Sequence, residues 1–283
     1  MITIREEREG GRWEGVALTR ELATQALAFA DAARCHGTPT GRDLPLAGTP
    51  VWFKGEAFAG NSAQRHLWRK RLGGRPYPRL AEYENLNWLR AHEFDAPEPL
   101  VAAVWMVNGL PRWQFLATRL VTGVVTLDTF LARAHTERTA LLDQLALSVA
   151  RMHALGFVHR DLFPRNLLVR AEDSPQRIVF IDAWRGGARR QSRGPSYDLA
   201  CLFLQLPEWL DRGEQRRWFE RYLEGCASAG TAPHPDRLVR SMERARRGWI
   251  RRLERQPARL GGAPPPDPAW RVPRERSSDS LHR

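Results

Sequence analysis

Lysine is almost missing from this chain: of 44 basic residues only Lys54 and Lys70 are lysines, which leaves 44 − 2 = 42 arginines. Where arginine serves nearly everywhere, a lysine at a strand end marks a place suited to a compact ammonium rather than a planar fork. Cysteine is scarce as well. Cys35, Cys201 and Cys226 are odd in number and far apart, which excludes a disulfide framework and a zinc knot. Long apolar runs are lacking, since Val101–Val107 and Leu199–Leu206 fall far short of the ~20 residues that span a bilayer. No transmembrane helix is expected. Residues 1–15 also lack the apolar core of a secretory signal, so the protein is expected to stay in the cytoplasm. Acidic residues are absent between Glu56 and Glu82, where Arg65, Arg69, Lys70, Arg71, Arg75 and Arg79 accumulate.

What is present is 283 residues with 42% hydrophobic content, enough for a packed core in one large domain or two lobes. The net charge is +12, and residues 240–283 hold 12 arginines against 5 acids. Such an excess suits either an anionic partner or plain solubility. The basic stretches lack the interleaved aromatic platforms of a single-strand binder, so no nucleic acid is expected.

Apolar periodicity places a helix over 21–34, with Leu22, Ala26, Phe29 and Ala33 on one face. A Gly- and Pro-rich stretch from Gly37 to Pro50 ends it, and Val51-Trp52-Phe53-Lys54 reads as a short strand before a polar, basic segment from Gly60 to Arg79. Tyr83, Leu86 and Leu89 mark a helix from about Arg79 to His92. Val101–Val107 and Trp113–Leu120 read as strands around Asn108-Gly109, the strongest short hairpin signal. Beyond Thr122-Gly123 the pattern turns helical: Leu141, Leu145, Ala146, Val149 and Met152 predict a helix over 136–155 stopped at Gly156. Leu167–Val169 and Ile178–Ile181 are short strands around an Asp173-Ser174-Pro175 turn, and the chain from Tyr197 to Gly261 reads as helical. A strand-rich part feeding a helix-rich part predicts an α+β, bilobal design. One domain is expected over 1–260, with a small N-lobe of about 1–120, a larger C-lobe of about 124–260, and a disordered Pro/Arg-rich tail over 261–283.

The chemistry is carried by His159-Arg160-Asp161-Leu162 with Asn166, which reproduces the catalytic-loop pattern H-R-D-L-x-x-x-N of protein kinases. Further on, the apolar strand Ile178-Val179-Phe180-Ile181 ends on Asp182. Phosphoryl transfer from ATP needs an acid near the acceptor hydroxyl, oxygen ligands for Mg²⁺ and a cation on the phosphates. Asp161 is the candidate base, Asn166 and Asp182 the candidate Mg²⁺ ligands, and Lys54, ending a V-W-F-K strand, the candidate cation on the ATP phosphates. A lone H-R-D is better read as loop polarity; the joint spacing is what speaks for a site. Lys54 has a rival reading as a surface lysine. Glu82 and Glu84 both lie on the following helix, and Glu82 is chosen as the Lys54 partner because it borders the face defined by Tyr83, Leu86 and Leu89. Gly37, Gly41 and Gly48 precede the lysine strand without forming G-x-G-x-x-G, and plain loop glycines explain them as well as a phosphate cover. By position, Leu120 and Val121 fall where a hinge presents backbone groups to adenine.

Through V-W-F-K, A-E-Y-E-N-L-N-W-L followed by D-A-P-E-P, H-R-D-L-F-P-R-N-L-L-V and I-D-A-W-R, the chain resembles the bacterial lipopolysaccharide core kinases of the protein-kinase-like superfamily over about Val51 to Leu206. In that family I-D-x-x-R commonly replaces D-F-G, and Asp182 and Arg185 match it. The resemblance implies a bilobal protein-kinase-like fold and ATP-dependent phosphorylation of a sugar hydroxyl, on Kdo or heptose, of an anionic glycolipid at the cytoplasmic face of the inner membrane. Only 15 residues separate Asp182 from Asp198 and no A-P-E appears, so a peptide-docking segment is not expected. Arg185, Arg189, Arg190 and Arg193 in that segment suit phosphate or carboxylate groups of an acceptor. Asp198, in Tyr197-Asp198-Leu199-Ala200, reads as a buried structural acid. The helix around Met242, Ala245, Trp249 and Leu253 reads either as interfacial, with peripheral membrane contact, or as a last helix packed on the C-lobe. The rival functions are an aminoglycoside- or choline-type kinase, which more often reads H-G-D and favours acidic acceptor sites, and a kinase-like binding protein without turnover, suggested by the missing glycine loop.

Overall fold

Alternation of side chains along the strands decides what each face of the main sheet carries. The computed structural model describes residues 1–36, 42–133, 138–170, 176–188 and 194–254. By contact the chain divides into two units: Met1–Thr126 with His159–Asp161 and Asn166–Gly187, and Leu127–Val158 with Leu162–Arg165 and Ala188–Arg283.

The first unit is built on β1 (Ile2–Arg8), β2 (Gly11–Ala17), α1 (Arg20–His36), β3 (Arg42–Leu46), β4 (Thr49–Ala57), α2 (Ser62–Gly73), α3 (Pro78–Ala91), β5 (Pro99–Val107) and β6 (Leu110–Arg119). The six strands form one sheet in the order β1-β2-β5-β6-β4-β3, antiparallel throughout. Along central β5, Val101, Ala103 and Trp105 join the α1 alanines, Trp13, Phe53 and Phe115 in one core, whereas Val104 and Met106 on the other face pack with Tyr77. That two-residue period leaves Lys54 on the face opposite Val51 and Phe53. Gly55 is required beside it: a Cβ there would lie 2.3 Å from the Trp113 ring. At the β5–β6 turn Asn108 and Gly109 have φ of 49° and 75°, the pair of left-handed residues that a two-residue hairpin turn demands. A second sheet joins β7 (Val125–Thr126), β8 (Leu167–Arg170) and β9 (Arg177–Phe180).

Four elements, β1, β2, β3 and α2, add to the sequence expectation. The N-terminal hairpin β1–β2 and strand β3 are not among the expected elements: β1 and β3 are edge strands, and in all three strands charged and small residues leave few apolar positions to alternate. The basic segment from Gly60 to Arg79 contains helix α2, whose buried side amounts to Ala63 and little else, too small a stripe to register as periodicity. By contact, β8 and β9 group with the first unit. There the Phe180 amide donates to Asp95 O at 2.8 Å and Asn85 Nδ2 donates to Ala183 O at 2.7 Å.

The second unit is helical: α4 (Leu127–Leu131), α5 (Arg138–Ala154), α6 (Pro195–Leu202), α7 (Arg212–Ser228) and α8 (Pro235–Glu254). Helix α5 stops at Gly156, φ 82°, and α7 begins on a capping box between Asp211 and Glu214. Asp198 is fully buried on α6, with His153 Nε2 3.2 Å from its carboxylate and His153 Nδ1 2.9 Å from the Tyr222 hydroxyl. The apolar stripe of α8 is spent inside this unit. Met242 is fully buried, and Ala245, Trp249 and Ile250 pack against Phe163, Tyr197, Cys201 and Leu204. The interfacial reading of this helix therefore gives way to the packed one, with a basic face left to solvent. The tail over 261–283 lies outside the described residues.

Candidate active site

Lys54 sits in mid-strand on β4, which aims its side chain toward α3 while its neighbours Phe53 and Gly55 face the α1 core. Helix α3 starts on Pro78, whose missing N–H costs nothing at a first turn, and it brings Glu82 inward. Lys54 Nζ donates to Glu82 Oε1 at 2.9 Å and also to Asp182 Oδ1. Glu82 is 1% exposed, a burial that a carboxylate tolerates only when paired. Arg79, one turn earlier on α3, supplies the second partner: its Nη1 donates to Glu82 Oε2 at 2.6 Å, and its Nε lies 3.1 Å from Glu56 Oε1. Glu84 points to the exposed side of the same helix.

These charges set each other's protonation. Burial pushes the Lys54 ammonium toward lower pKa, but the carboxylates of Glu82 and Asp182 outweigh it and hold the pKa above its ordinary value. Burial pushes Asp182 up, yet the Lys54 charge and hydrogen bond, with Arg79 and His159 adding to them, hold it below the usual carboxylate range. Arg79 is raised on the same logic, the Glu82 and Glu56 charges outweighing its burial. Across neutral pH, Lys54, Arg79 and Asp182 are therefore all ionised.

Asp161 and Asn166 are joined to this cluster through backbone. Asn166 Nδ2 donates to Asp161 O at 2.8 Å, Ile181 N–H donates to Asn166 O at 3.1 Å, and His159 Nε2 lies 2.9 Å from Ile181 O. Facing a carbonyl, that histidine nitrogen carries the proton. Two residues here, Arg160 at φ 63° and Asp182 at φ 59°, hold left-handed backbone, a conformation that costs a non-glycine residue about 1–2 kcal/mol and gathers at functional positions. The donor set fits Mg²⁺: the Asp182 carboxylate and the Asn166 amide oxygen, freed because its nitrogen is tied to Asp161, are hard oxygen ligands. No group of three or more His, Cys, Asp or Glu side chains gathers for a metal among the described residues. A pair of protein ligands is what a cation sharing phosphate oxygens needs.

The other sequence candidates fall as follows. Leu120 and Val121 follow β6, with the Leu120 amide bonded to Pro50 O at 3.0 Å. Gly48 occupies the tight β3–β4 turn at φ 71° beside Ala47 at 49°, so a hairpin accounts for it. Gly37, Gly41, Arg189 and Arg190 lie outside the described residues. Arg185 is exposed, its guanidinium 4.4 Å over the Trp184 ring. Sequence reasoning did not single out Arg79 and Asn85 for the site. The signal was available, since both lie three residues from Glu82 and so share its side of α3.

A family model described as lipopolysaccharide kinase (Kdo/WaaP) family matches residues 51–218. Calcium/calmodulin-dependent protein kinase type 1B of Rattus norvegicus is 37% identical over 87 residues, 30% of this chain and 25% of that protein. Serine/threonine-protein kinase H1 of Mus musculus is 28% identical over 149 residues, 48% of this chain and 35% of that protein. The chain thus spans about a quarter of the length of the first of these relatives. Among solved structures, "WaaP in complex with acyl carrier protein" is similar at TM-score 0.48 and 19% identity, covering 91% of this chain and 88% of that one. "Structure of the microcompartment-associated aminopropanol kinase" is similar at TM-score 0.41 and 16% identity, covering 78% and 86%.

Proposed function

The chain belongs to the lipopolysaccharide kinase (Kdo/WaaP) family, and from that premise we propose that it transfers the γ-phosphoryl group of ATP to a sugar hydroxyl, on Kdo or heptose, of the lipopolysaccharide inner core. The observation that carries the reading is the continuous network running from Asp161 and Asn166 through Ile181 to Asp182, Lys54 and Glu82. A chain that only bound a partner has no physical need for a base, two oxygen ligands and an anchored ammonium in one cluster.

In this reaction the acceptor oxygen bonds to the γ-phosphorus as the bond from that phosphorus to the ADP oxygen breaks. Asp161 receives the hydroxyl proton as the new bond forms and later releases it to water. Lys54, fixed by Glu82 and Arg79, holds the phosphate oxygens with a charge that needs no reorganisation. Asn166 and Asp182 would hold Mg²⁺, which would supply positive charge against the phosphates. Leu120 and Val121 offer backbone groups to adenine, and Arg185, Arg189 and Arg190 are candidate contacts to acceptor anions.

Peripheral contact with the cytoplasmic face of the inner membrane is part of the same reading, but it moves from α8 to α2. Trp68 is 58% exposed and Leu72 81% exposed. Standing four residues apart, they share one helix face, opposite buried Ala63, with exposed Arg65, Arg69 and Arg71 around them. An indole and a leucine ringed by cations suit an anionic lipid surface. Among the described residues no helix is long and apolar enough to cross a membrane. The test is transfer of labelled phosphate from ATP to purified core glycolipids and to a panel of small sugars, with the product mapped by mass spectrometry. Phosphate on an inner-core sugar supports the proposal; transfer only to amino-alcohols or aminoglycosides overturns the acceptor.

A further inference from the structure

Helix α8 carries a second feature that packing does not explain. Ser241, Arg244, Gly248 and Arg252 recur at three- and four-residue steps, so they form one line along the helix. With Trp249 and with Ser196 and Tyr197 of α6, they wall a cavity of about 360 Å³, within the range of roughly 300–1,000 Å³ that small-ligand pockets occupy.

Three properties of this cavity point to a ligand. Arg244 and Arg252 are exposed on the same wall and neither pairs with a carboxylate among the described residues, Arg252 lying 5.3 Å over the Trp249 ring. Gly248 stands in the interior of a 20-residue helix, where glycine costs about 1 kcal/mol against alanine. A Cβ at Gly248 would meet nothing within 4 Å, so no tight contact calls for the glycine; its effect is to keep the cavity wall low between the two arginines. Aromatic and hydroxyl surfaces complete the lining, with Trp249 and Tyr197 ring centroids 5.9 Å apart and Ser196 and Ser241 hydroxyls 2.9 Å apart.

We infer that this cavity binds one sugar unit bearing a carboxylate or phosphate. The guanidinium groups of Arg244 and Arg252 take the anion, the serine hydroxyls take ring hydroxyls, and the apolar C–H face of the sugar lies on the aromatic side chains. Phe163 links the pocket to the catalytic loop in sequence. It packs edge-on against Trp249 at 5.3 Å and carries Arg165 4.3 Å over its own ring, and both residues lie in the short segment between Asp161 and Asn166. As an acceptor subsite, the pocket rests on the kinase reading given above; as a binding site, it does not.

Saturation-transfer NMR on the full chain separates the two. Glucuronic acid and glucose 6-phosphate serve as anionic probes, glucose as the neutral one, and inorganic phosphate as competitor. The anionic sugars should give signal where glucose gives at most a fifth as much, and equimolar phosphate should leave most of it. The exposed pair Arg244→Ala/Arg252→Ala should lower it at least fivefold, and so should Gly248→Leu, which fills the cavity without touching charge; Mg²⁺-ATP protection in thermal melting should stay unchanged in both variants. Equal signal from glucose, full displacement by phosphate as from a bare anion site, or unaltered signal in the variants overturns the inference. If probe binding behaves as expected while no core glycolipid is phosphorylated, the pocket stands and the acceptor reading falls.

Discussion

Replacing Lys54 by methionine removes the ammonium between Glu82 and Asp182 while keeping most of its volume. Breaking a buried ion pair costs about 3–5 kcal/mol when the remaining charge is stranded. Here the loss is smaller. Glu82 keeps Arg79 at 2.6 Å, and Asp182, 33% exposed, keeps access to water, so about 1–3 kcal/mol of stability should go, the worth of one or two charged hydrogen bonds. The pH dependence is the sharper test. Asp182 has its folded pKa lowered, so its contribution is present above its unfolded value, roughly 3.9, and is lost as pH falls through the folded pKa. Lys54 has its folded pKa raised, so its contribution is complete below roughly 10.4 and is lost as pH rises through the folded pKa. The stability difference between wild type and Lys54→Met should therefore be largest across neutral pH and shrink toward both extremes. Urea unfolding at a series of pH values reads it directly. A difference that is flat with pH, or that grows in acid, would refute the electrostatic account of this cluster.

Gly55→Ala should destabilise by about 1–3 kcal/mol as the new methyl meets the Trp113 ring; a melting temperature equal to wild type would contradict the packing described for β4. Asn166→Ala should raise the Mg²⁺ concentration for half-maximal activity about tenfold or more, with partial recovery in Asn166→Asp, which keeps a ligand oxygen; an unchanged Mg²⁺ requirement would remove Asn166 from the metal site. Trp68→Ala/Leu72→Ala should weaken co-sedimentation with phosphatidylglycerol-containing vesicles about tenfold or more. Binding that persists unchanged in the double variant would take the membrane contact away from α2.

The parts legible in the sequence were those written in strong local chemistry. The Asn108-Gly109 hairpin, the helices around Leu145 and Leu86, and the apolar strand ending on Asp182 each announce themselves through turn chemistry or period, and their observed bounds lie within a few residues of the expected ones. Glu82 could be chosen over Glu84 because a helix assigns faces by spacing alone. Edge strands and weakly buried helices were illegible: β1 buries only Ile4 and α2 only Ala63, so their structure depends on neighbours distant in sequence. The amphipathic stripe of α8 was legible, but what covers it was not, since Phe163, Tyr197 and Cys201 reach it only in the folded chain. The α6–α8 cavity was invisible for the same reason.

The central claim is that the Asp161–Asn166–Asp182–Lys54 cluster performs phosphoryl transfer. It is tested most directly by following ATP-dependent phosphorylation of a purified inner-core glycolipid by wild type and by Asp161→Ala, alongside Mg²⁺-dependent ATP protection in thermal melting. The account predicts that the variant keeps ATP protection and its fold while transfer falls by roughly 10²–10⁴. Transfer by Asp161→Ala at the wild-type rate would contradict it.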